Sequence, residues 1–545
     1  MPESLADAKP PGLNKKLGVR DIWALGVGIV VCGQYFGWNL GLKDNGPPAL
    51  LIASLLVCLL FLCWVLTLAE LSVAMPHAGG PLAYGERAGG PWLGFIMAWS
   101  MLLECLFGMI ATALASGWYV AVLYNPTKPE DEPAIIIVAG LATVVLFFLL
   151  QAWGVKEQST ALVLMTYAAI VGLIVYWGVS ATNFSAERIW TAPVLGDKGW
   201  RGVLDAAPYA LWWLIIIEGV ALAAEETAEP RRTIPRGLVL SMLTVVVLIV
   251  LTLVLGCAAM ASQEFDEIDY PLAEVVRQVL AGRSHALWYS FCAIALFGLI
   301  ASYHGLLYST SRQLFALGRA GYLPAALGRV HFGRRTPIVS LLVCSLIAAA
   351  FVIASVWKKK AIEDAILVAG LVALIWYVLA MFCLWTLRRR TPEIFDRYRA
   401  PFVKTLPIVV IAISAFAILG YAGKQEAGLV LTLTSILYVV GLGYFALWGR
   451  HRSHEIAPMN IDKLSSDENT PIPGWSTILD WCTVGVLWVT LFVLGWIVAA
   501  AYRPLDVRFA SDEVETVLVV ILIAVALALV CLVAWLHTRP RQGGR

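Results

Sequence analysis

Charge is what this sequence has least of: 14% of its 545 residues are Asp, Glu, Lys or Arg, against 60% hydrophobic, with a mean hydropathy of +0.79. A soluble fold of this length cannot hide that much apolar surface behind so few charges, so the bilayer is the expected solvent. The net charge of +2 gives no sign of a nucleic-acid partner, and none is expected. Also missing is any cysteine in a polar loop and any CxxC pair. All ten cysteines fall in apolar segments, which excludes a disulfide framework and a zinc site and leaves them as small buried residues. No His/Asp or Ser/His cluster gathers at one membrane face, so no enzyme is expected, and no catalytic residue, cofactor or metal ligand is assigned. No small-residue cleavage site follows a short apolar core, so no removable signal peptide is read.

What the sequence has in abundance is apolar runs of about 20 residues, long enough to cross the roughly 30 Å hydrocarbon core. They fall near 22–42, 49–74, 92–123, 134–152, 160–180, 206–229, 237–261, 287–318, 337–357, 362–388, 404–423, 427–449, 481–502 and 514–537, numbered here as spans 1 to 14. Cytoplasmic segments are enriched in Lys and Arg, so a missed or false span scrambles their alternation. With the N-terminus inside, 26 of the 39 Lys and Arg lie on the inner side, while Glu130-Asp131-Glu132 and the acids from Glu264 to Asp269 lie outside. This bias supports fourteen membrane helices with both termini in the cytoplasm of a multi-pass cell-membrane protein. Lys358-Lys359-Lys360, an outer basic cluster, is the exception.

The chain divides into a cytoplasmic tail (1–20), a helical core (21–449), a polar linker (450–480) with Ser465, Ser466, Pro471 and Pro473, two further spans (481–537) and a second tail (538–545). Residues 181–205 carry Trp190 and Trp200 and suit the interface. Residues 262–286 alternate acidic and apolar positions and suit a short amphipathic surface helix.

Polar atoms and clustered glycines at membrane depth need a reason. Span 1 reads GVGIVVCGQYFGWNLGL from Gly26 to Leu42, with Gln34, Tyr35 and Asn39 near its middle. Each glycine costs about 1 kcal/mol relative to Ala in a helix, and several together let the backbone unwind and offer bare N–H and C=O groups to a ligand. Close helix packing through small residues is the plainer alternative. Span 6 runs uncharged from Ala206 to Ile217 and then places Glu218-Gly219 about twelve residues in, roughly 18 Å deep at 1.5 Å per residue. Glu218 pairs with a cationic substrate, exchanges a proton, or is a buried structural acid. Spans 1 and 6 lie five apart, and paired Gly-interrupted segments in two halves point to an inverted repeat, here about 21–180 and 206–388, with a site between them at the midplane.

Glu104 sits equally deep in span 3, and no basic residue lies mid-membrane in the core to neutralise either acid. Two uncompensated acids beside Tyr35, Phe36, Trp38, Trp212 and Trp213 suit an ammonium group, which gains from carboxylates and aromatic faces. Simple space-filling is the alternative for any one aromatic. Glu70, Glu225, Glu226 and Glu229 differ because they lie near the cytoplasmic end, close in sequence to Arg87 or Arg231-Arg232, and read as gate or loop-anchoring ion pairs. His304 on span 8 is a proton-relay candidate or a packing hydrogen-bonder.

AELSVAMPHAGGPLAYGERAGGPWLGF (Ala69 to Phe95), IEGVALAAEETAEPRRTIPRG (Ile217 to Gly237) and SYHGLLYSTSRQLFALGRAGYLP (Ser302 to Pro324) resemble the signatures of the amino acid/polyamine/organocation permeases. VVCGQYFGWNLGL on span 1 and IEGVALAAEE on span 6 are most similar to the ethanolamine permease branch. The resemblance covers roughly residues 15 to 450. It implies a leucine-transporter-type fold of five plus five inverted helices, with substrate held by unwound parts of spans 1 and 6. By position, Val31, Cys32 and Gly33 match the family's unwound Gly-Ser-Gly, and Glu218 and Gly219 match its Glu and small residue. Val31 and Cys32 depart from that pattern, leaving an amino-acid carboxylate fewer donors. A lysine used by some relatives on span 5 falls at Ala169. Spans 13 and 14 lie outside the usual twelve-helix core.

The resulting expectation is an alternating-access permease for a small amine such as ethanolamine, with Tyr35 and a span 6 Trp closing over the ammonium. The alternatives are a permease for neutral or cationic amino acids and, at more distance, a channel or substrate sensor. A proton and a sodium ion both stay open as the coupling ion.

Overall fold

The computed structural model describes residues 16–452, apart from 44, 78, 154, 191–194, 196–197, 267, 356–357, 359 and 423–426. Spans 13 and 14, most of the linker, both ends of the chain and Lys359 lie outside the described residues. Within them the chain is helical, and the only β pairing is one isolated parallel bridge between Leu17 and Thr227.

Span 1 is two pieces, α1 (Val19–Val30) and α2 (Cys32–Tyr35), followed by a 3₁₀ turn at Trp38–Gly41. Span 2 is α3 (Pro47–Ala74), a short α4 (Pro81–Gly89) follows, and span 3 is α5 (Pro91–Tyr124). Spans 4 and 5 are α6 (Pro133–Trp153) and α7 (Val155–Ala181). Span 6 begins as α8 (Trp200–Ala210) and continues as 3₁₀ stretches at Leu211–Trp213 and Ile217–Glu226. Then come α9 (Pro230–Ala259), the short α10 (Pro271–Leu280), α11 (His285–Arg319), α12 (Ile338–Ala354), α13 (Ala361–Arg390), α14 (Thr405–Tyr421) and α15 (Ala427–Tyr444). The first twelve spans all appear, and α10 is the surface helix expected from the alternation at 262–286. Proline opens α3, α4, α5, α6, α9 and α10, where its missing N–H is no loss.

Among the described residues nine helices are long and apolar enough to cross a membrane, while α12 and α14 stop at 17 residues. α5, with 34 residues, measures about 51 Å at 1.5 Å per residue, so it crosses tilted or protrudes. It packs along α11 and α13 at the centre, and α1, α3, α8 and α9 are buried around them. The outer helices turn large apolar side chains outward: Leu149 of α6, Leu346 of α12, Leu419 of α14 and Val439 of α15 are all exposed. In water that surface is a liability, and against lipid it is the matching solvent.

Candidate substrate site between the broken spans

The breaks in spans 1 and 6 meet backbone to backbone. A Cβ added to Gly33 lies 2.7 Å from the carbonyl oxygen of Trp212 and 3.2 Å from Cα of Trp213, so only glycine permits this approach. Gly37, at φ 87°, supplies the second kink, after Phe36 has gone extended. In span 6 the reversal falls on Ile216, at φ 75°. A β-branched residue there is strained by about 1–3 kcal/mol, a cost met typically at functional sites. The ten-residue 3₁₀ run that follows exceeds the usual three or four residues.

Glu104 and Glu218 are both 0% exposed and are joined by one residue that the sequence reading missed. The hydroxyl of Tyr377 on α13 lies 2.5 Å from Oε1 of Glu218 and 3.1 Å from Oε1 of Glu104. Trp376 donates its indole N–H to Oε2 of Glu104 at 2.7 Å, and the N–H of Ile216 donates to Oε1 at 3.0 Å. Glu104 thus ties α5 to α13 and to the break of span 6; the two carboxyl groups also lie against each other, and their other hydrogen-bond partners are neutral N–H and O–H groups. Of the four carboxyl oxygens, Oε2 of Glu218 is buried with no hydrogen-bond partner among the described residues. The same holds for both polar atoms of Gln34 and for the indole N–H groups of Trp212 and Trp64. Buried polar atoms are rarely left so, and those of Gln34, Trp212 and Glu218 on the two breaks, with Trp64 of α3 beside Tyr377, are what a polar ligand satisfies.

Trp212 packs edge-on against Phe36 at 5.2 Å, within the break. Trp213 turns elsewhere, stacking on Trp38 at 5.5 Å and donating to Ser54 at 3.0 Å. Tyr35 also turns away from the acids: its hydroxyl donates to the carbonyl of Ala169 at 2.6 Å, between α7 and α11. Cys32 donates its N–H to Ser302 Oγ at 2.9 Å, and Val31 keeps helical dihedrals with its N–H on Val27. Gly219 packs against Ser309 and Ile29. His304 is bonded to Gln151, which donates to the His304 carbonyl at 2.7 Å, and its ring packs on Phe147.

Two further regions flank this centre. At the outer end a cavity of about 650 Å³ is lined by Trp118, Tyr270, Asp266, Asp269, Lys360 and Glu363 among others. Asn39 pins its floor by donating to the carbonyls of Phe265 and Ile268. Burial, with the charge of Glu363 beside it, pushes the Asp269 carboxyl up to about 7. At the inner end, ion pairs lace the helices together. Arg312 pairs with Glu226, Arg319 with Glu225 and Arg388 with Glu70, the last also accepting the N–H of Ala400 at 2.9 Å. Glu70, Glu225 and Glu226 thus reach arginines of α11 and α13, distant in sequence, while Glu229 pairs locally with Arg232 at 3.6 Å. His77 lies against Arg319 and Glu225, and burial together with the Arg319 charge lowers its imidazole to about 4, with Glu225 opposing. Lys16 and Leu17 both donate backbone N–H groups to the carbonyl of Glu226, which clips the start of the chain to the end of span 6.

A family model described as amino acid permease matches residues 17–445. An uncharacterized transporter of Rhizobium meliloti (strain 1021) is 28% identical over 430 residues, covering 76% of this chain and 89% of its own length. The branched-chain amino acid permease of Bacillus subtilis (strain 168) is 24% identical over 456 residues, 81% of this chain and 94% of its own. Cationic amino acid transporter 1 of Arabidopsis thaliana is 27% identical over 436 residues, 76% and 70% respectively.

Proposed function

The chain belongs to the amino acid permease family and is a multi-pass membrane transporter, not an enzyme, and we propose that its cargo is a small organic amine such as ethanolamine. One observation carries this reading: Oε2 of Glu218, fully buried between two broken spans, has no hydrogen-bond partner among the described residues, and none of the ion pairs seen among them involves either acid. A buried carboxylate is costly without a counter-charge. An ammonium group supplies that charge, its methylene carbons lie against Trp212 and Phe36, and its hydroxyl meets the amide of Gln34.

In this reading Glu218 touches the ammonium, while Glu104 acts behind it by orienting Tyr377 and the backbone of Ile216. Val31, Cys32, Gly33 and Gly219 shape the break, and Trp213 and Tyr35 hold it against α3 and α7. The outer cavity admits the amine, the inner ion pairs open after it binds, and the breaks let each half-span tilt separately. Glu70, Glu225 and Glu226 serve as gate residues, and His304 packs α11 onto α6.

Two of the relatives are named for amino acids, which favours a second reading, a permease for neutral or cationic amino acids. Uptake competition in proteoliposomes decides between them. Inhibition by ethanolamine and choline supports the amine; inhibition by amino acids alone sinks it. Counterflow from preloaded vesicles separates a carrier from a channel or a sensor, because only a carrier accumulates label by exchange. Glu218→Gln should abolish accumulation, and retention of full binding in both Glu218→Gln and Glu104→Gln overturns the site.

A further inference from the structure

A break in a helix frees backbone N–H groups, and their partial positive charge is what ordinarily recognises an anionic group such as a carboxylate. In this protein two of those donors are already taken by its own side chains. The N–H of Cys32, just past the break in span 1, donates to Ser302 Oγ at 2.9 Å. Ser302 in turn gives its hydroxyl hydrogen to the carbonyl of Gly28 at 2.6 Å, which fixes the oxygen with its lone pairs toward Cys32. The N–H of Ile216, swung out by the positive φ of the span 6 break, donates to Glu104 Oε1 at 3.0 Å. Both acceptors are 0% exposed, and Glu104 is anchored a second time by Trp376.

Neighbouring donors are engaged within the chain as well. In span 1 the N–H groups of Val31, Gln34 and Phe36 bond to Val27, Val31 and Cys32, and in span 6 those of Leu214, Ile215, Ile217 and Gly219 bond to carbonyls within the same turn or two. A ligand carboxylate aimed at either of these two N–H groups has to displace Ser302, leaving the Gly28 carbonyl without its donor, or displace Glu104, leaving two carboxylates face to face. Both are penalised in a buried site.

We infer that Ser302 and Glu104 are specificity-determining residues, internal acceptors that occupy the break's N–H groups and set the site against ligands carrying a carboxylate. The inference rests on the amine reading for its direction, but the competition between Ser302 and a carboxylate is read separately.

The test uses ligand pairs that differ by one carboxylate, ethanolamine with L-serine and isobutylamine with L-valine, in equilibrium binding to the purified full chain in proteoliposomes. The wild type is expected to favour the amine in each pair. Ser302→Ala frees the Cys32 N–H and should move the ratio toward the amino acid by about tenfold, the order of one hydrogen bond to a charged group. Ser302→Thr keeps the hydroxyl and should return the wild-type ratio, which loss of packing alone does not predict. Ser302→Cys, nearly unchanged in volume but a weak acceptor, serves where Ser302→Ala does not fold. Ratios within about twofold of wild type in both Ser302→Ala and Ser302→Cys overturn the inference. A wild type that binds serine or valine and neither amine overturns the amine reading instead. The inference is then read on the amino acid alone, whose affinity rises in Ser302→Ala if the hydroxyl competes for the Cys32 N–H; an unchanged or lower affinity overturns it.

Discussion

Arg312 and Glu226 face each other in full burial at the inner end of the bundle, with Nε and Nη2 of the arginine each 2.9 Å from Oε1 of the glutamate and neither side chain reached by solvent. Tyr308 adds a hydroxyl on Oε2 at 3.0 Å, and the arginine lies 4.0 Å over the Tyr308 ring. Breaking such a pair from one side strands a buried charge and typically costs about 3–5 kcal/mol, while replacing both partners by apolar side chains costs far less. Arg312→Ala should therefore lower the thermal unfolding temperature in detergent sharply, and the double variant Arg312→Met with Glu226→Leu should recover most of the loss. Equal destabilisation of single and double variants contradicts the coupling.

Tyr377→Phe keeps the ring that packs against Trp64 at 4.5 Å and removes the hydroxyl shared by Glu104 and Glu218. Removing the hydroxyl that Glu218 shares with Glu104 should cost about 1–3 kcal/mol of stability. Amine binding should weaken by roughly tenfold, because the carboxylate is no longer held toward the ligand. Thermal unfolding and a binding isotherm check both; unchanged values in both remove Tyr377 from the site.

His77 carries a pH dependence whose sign follows from its surroundings. Its imidazole sits at about 4 in the fold against 6.5 for the free group. The unfolded chain thus takes up a proton as pH falls through 6.5, and the folded chain resists until about 4. The contribution of His77 is fully present above pH 6.5 and is lost progressively as pH falls from 6.5 toward 4. His77→Gln should flatten that part of the stability profile, measured by thermal unfolding at stepped pH. An unchanged slope contradicts the assignment.

Asp269 acts in the opposite sense on the outer cavity. With its carboxyl raised to about 7, from an ordinary 3.8, it is neutral in the fold below neutrality and charged above it. Folding binds the extra proton between those values, so its stability contribution falls as pH rises through that window. The functional sign is reversed: the added negative charge above pH 7 should draw cations into the cavity and lower the apparent KM of an amine. Asp269→Asn should remove the pH step between 6 and 8 in initial-rate uptake, and high salt should blunt it in the wild type.

Spans 1 to 12, and the acids Glu104 and Glu218, were legible in the sequence because a charge or a run of glycines inside an apolar segment has no cheap explanation. Tyr377 and Trp376 were not. An aromatic ring in an apolar run looks like packing, and nothing local reveals that its polar tip ends on the carboxylates of spans 3 and 6, seven and four spans away in the sequence. The inner ion pairs are half legible: the acids stand out near the cytoplasmic ends of their spans, but proximity in sequence puts Glu70 beside Arg87, while the bundle brings Arg388 to it. Tyr35 was marked as an aromatic near the site, and the rotation of the short α2 piece sends its hydroxyl to Ala169 instead. Ile216 carries no signal at all, since a β-branched residue is the last expected where the backbone turns left-handed.

The bridge between Leu17 and Thr227 gives the segment just before α1 a mechanical role. Thr227 immediately follows Glu226, whose carboxylate is locked on Arg312 and whose carbonyl receives Lys16 and Leu17. Any movement of the inner half of span 6 of the kind proposed above should carry the segment before α1 with it as a handle. If the inner ion pairs are the gate proposed above, a spin label or fluorophore placed near Lys16 should report its position without disturbing the fully buried Glu226 and Arg312.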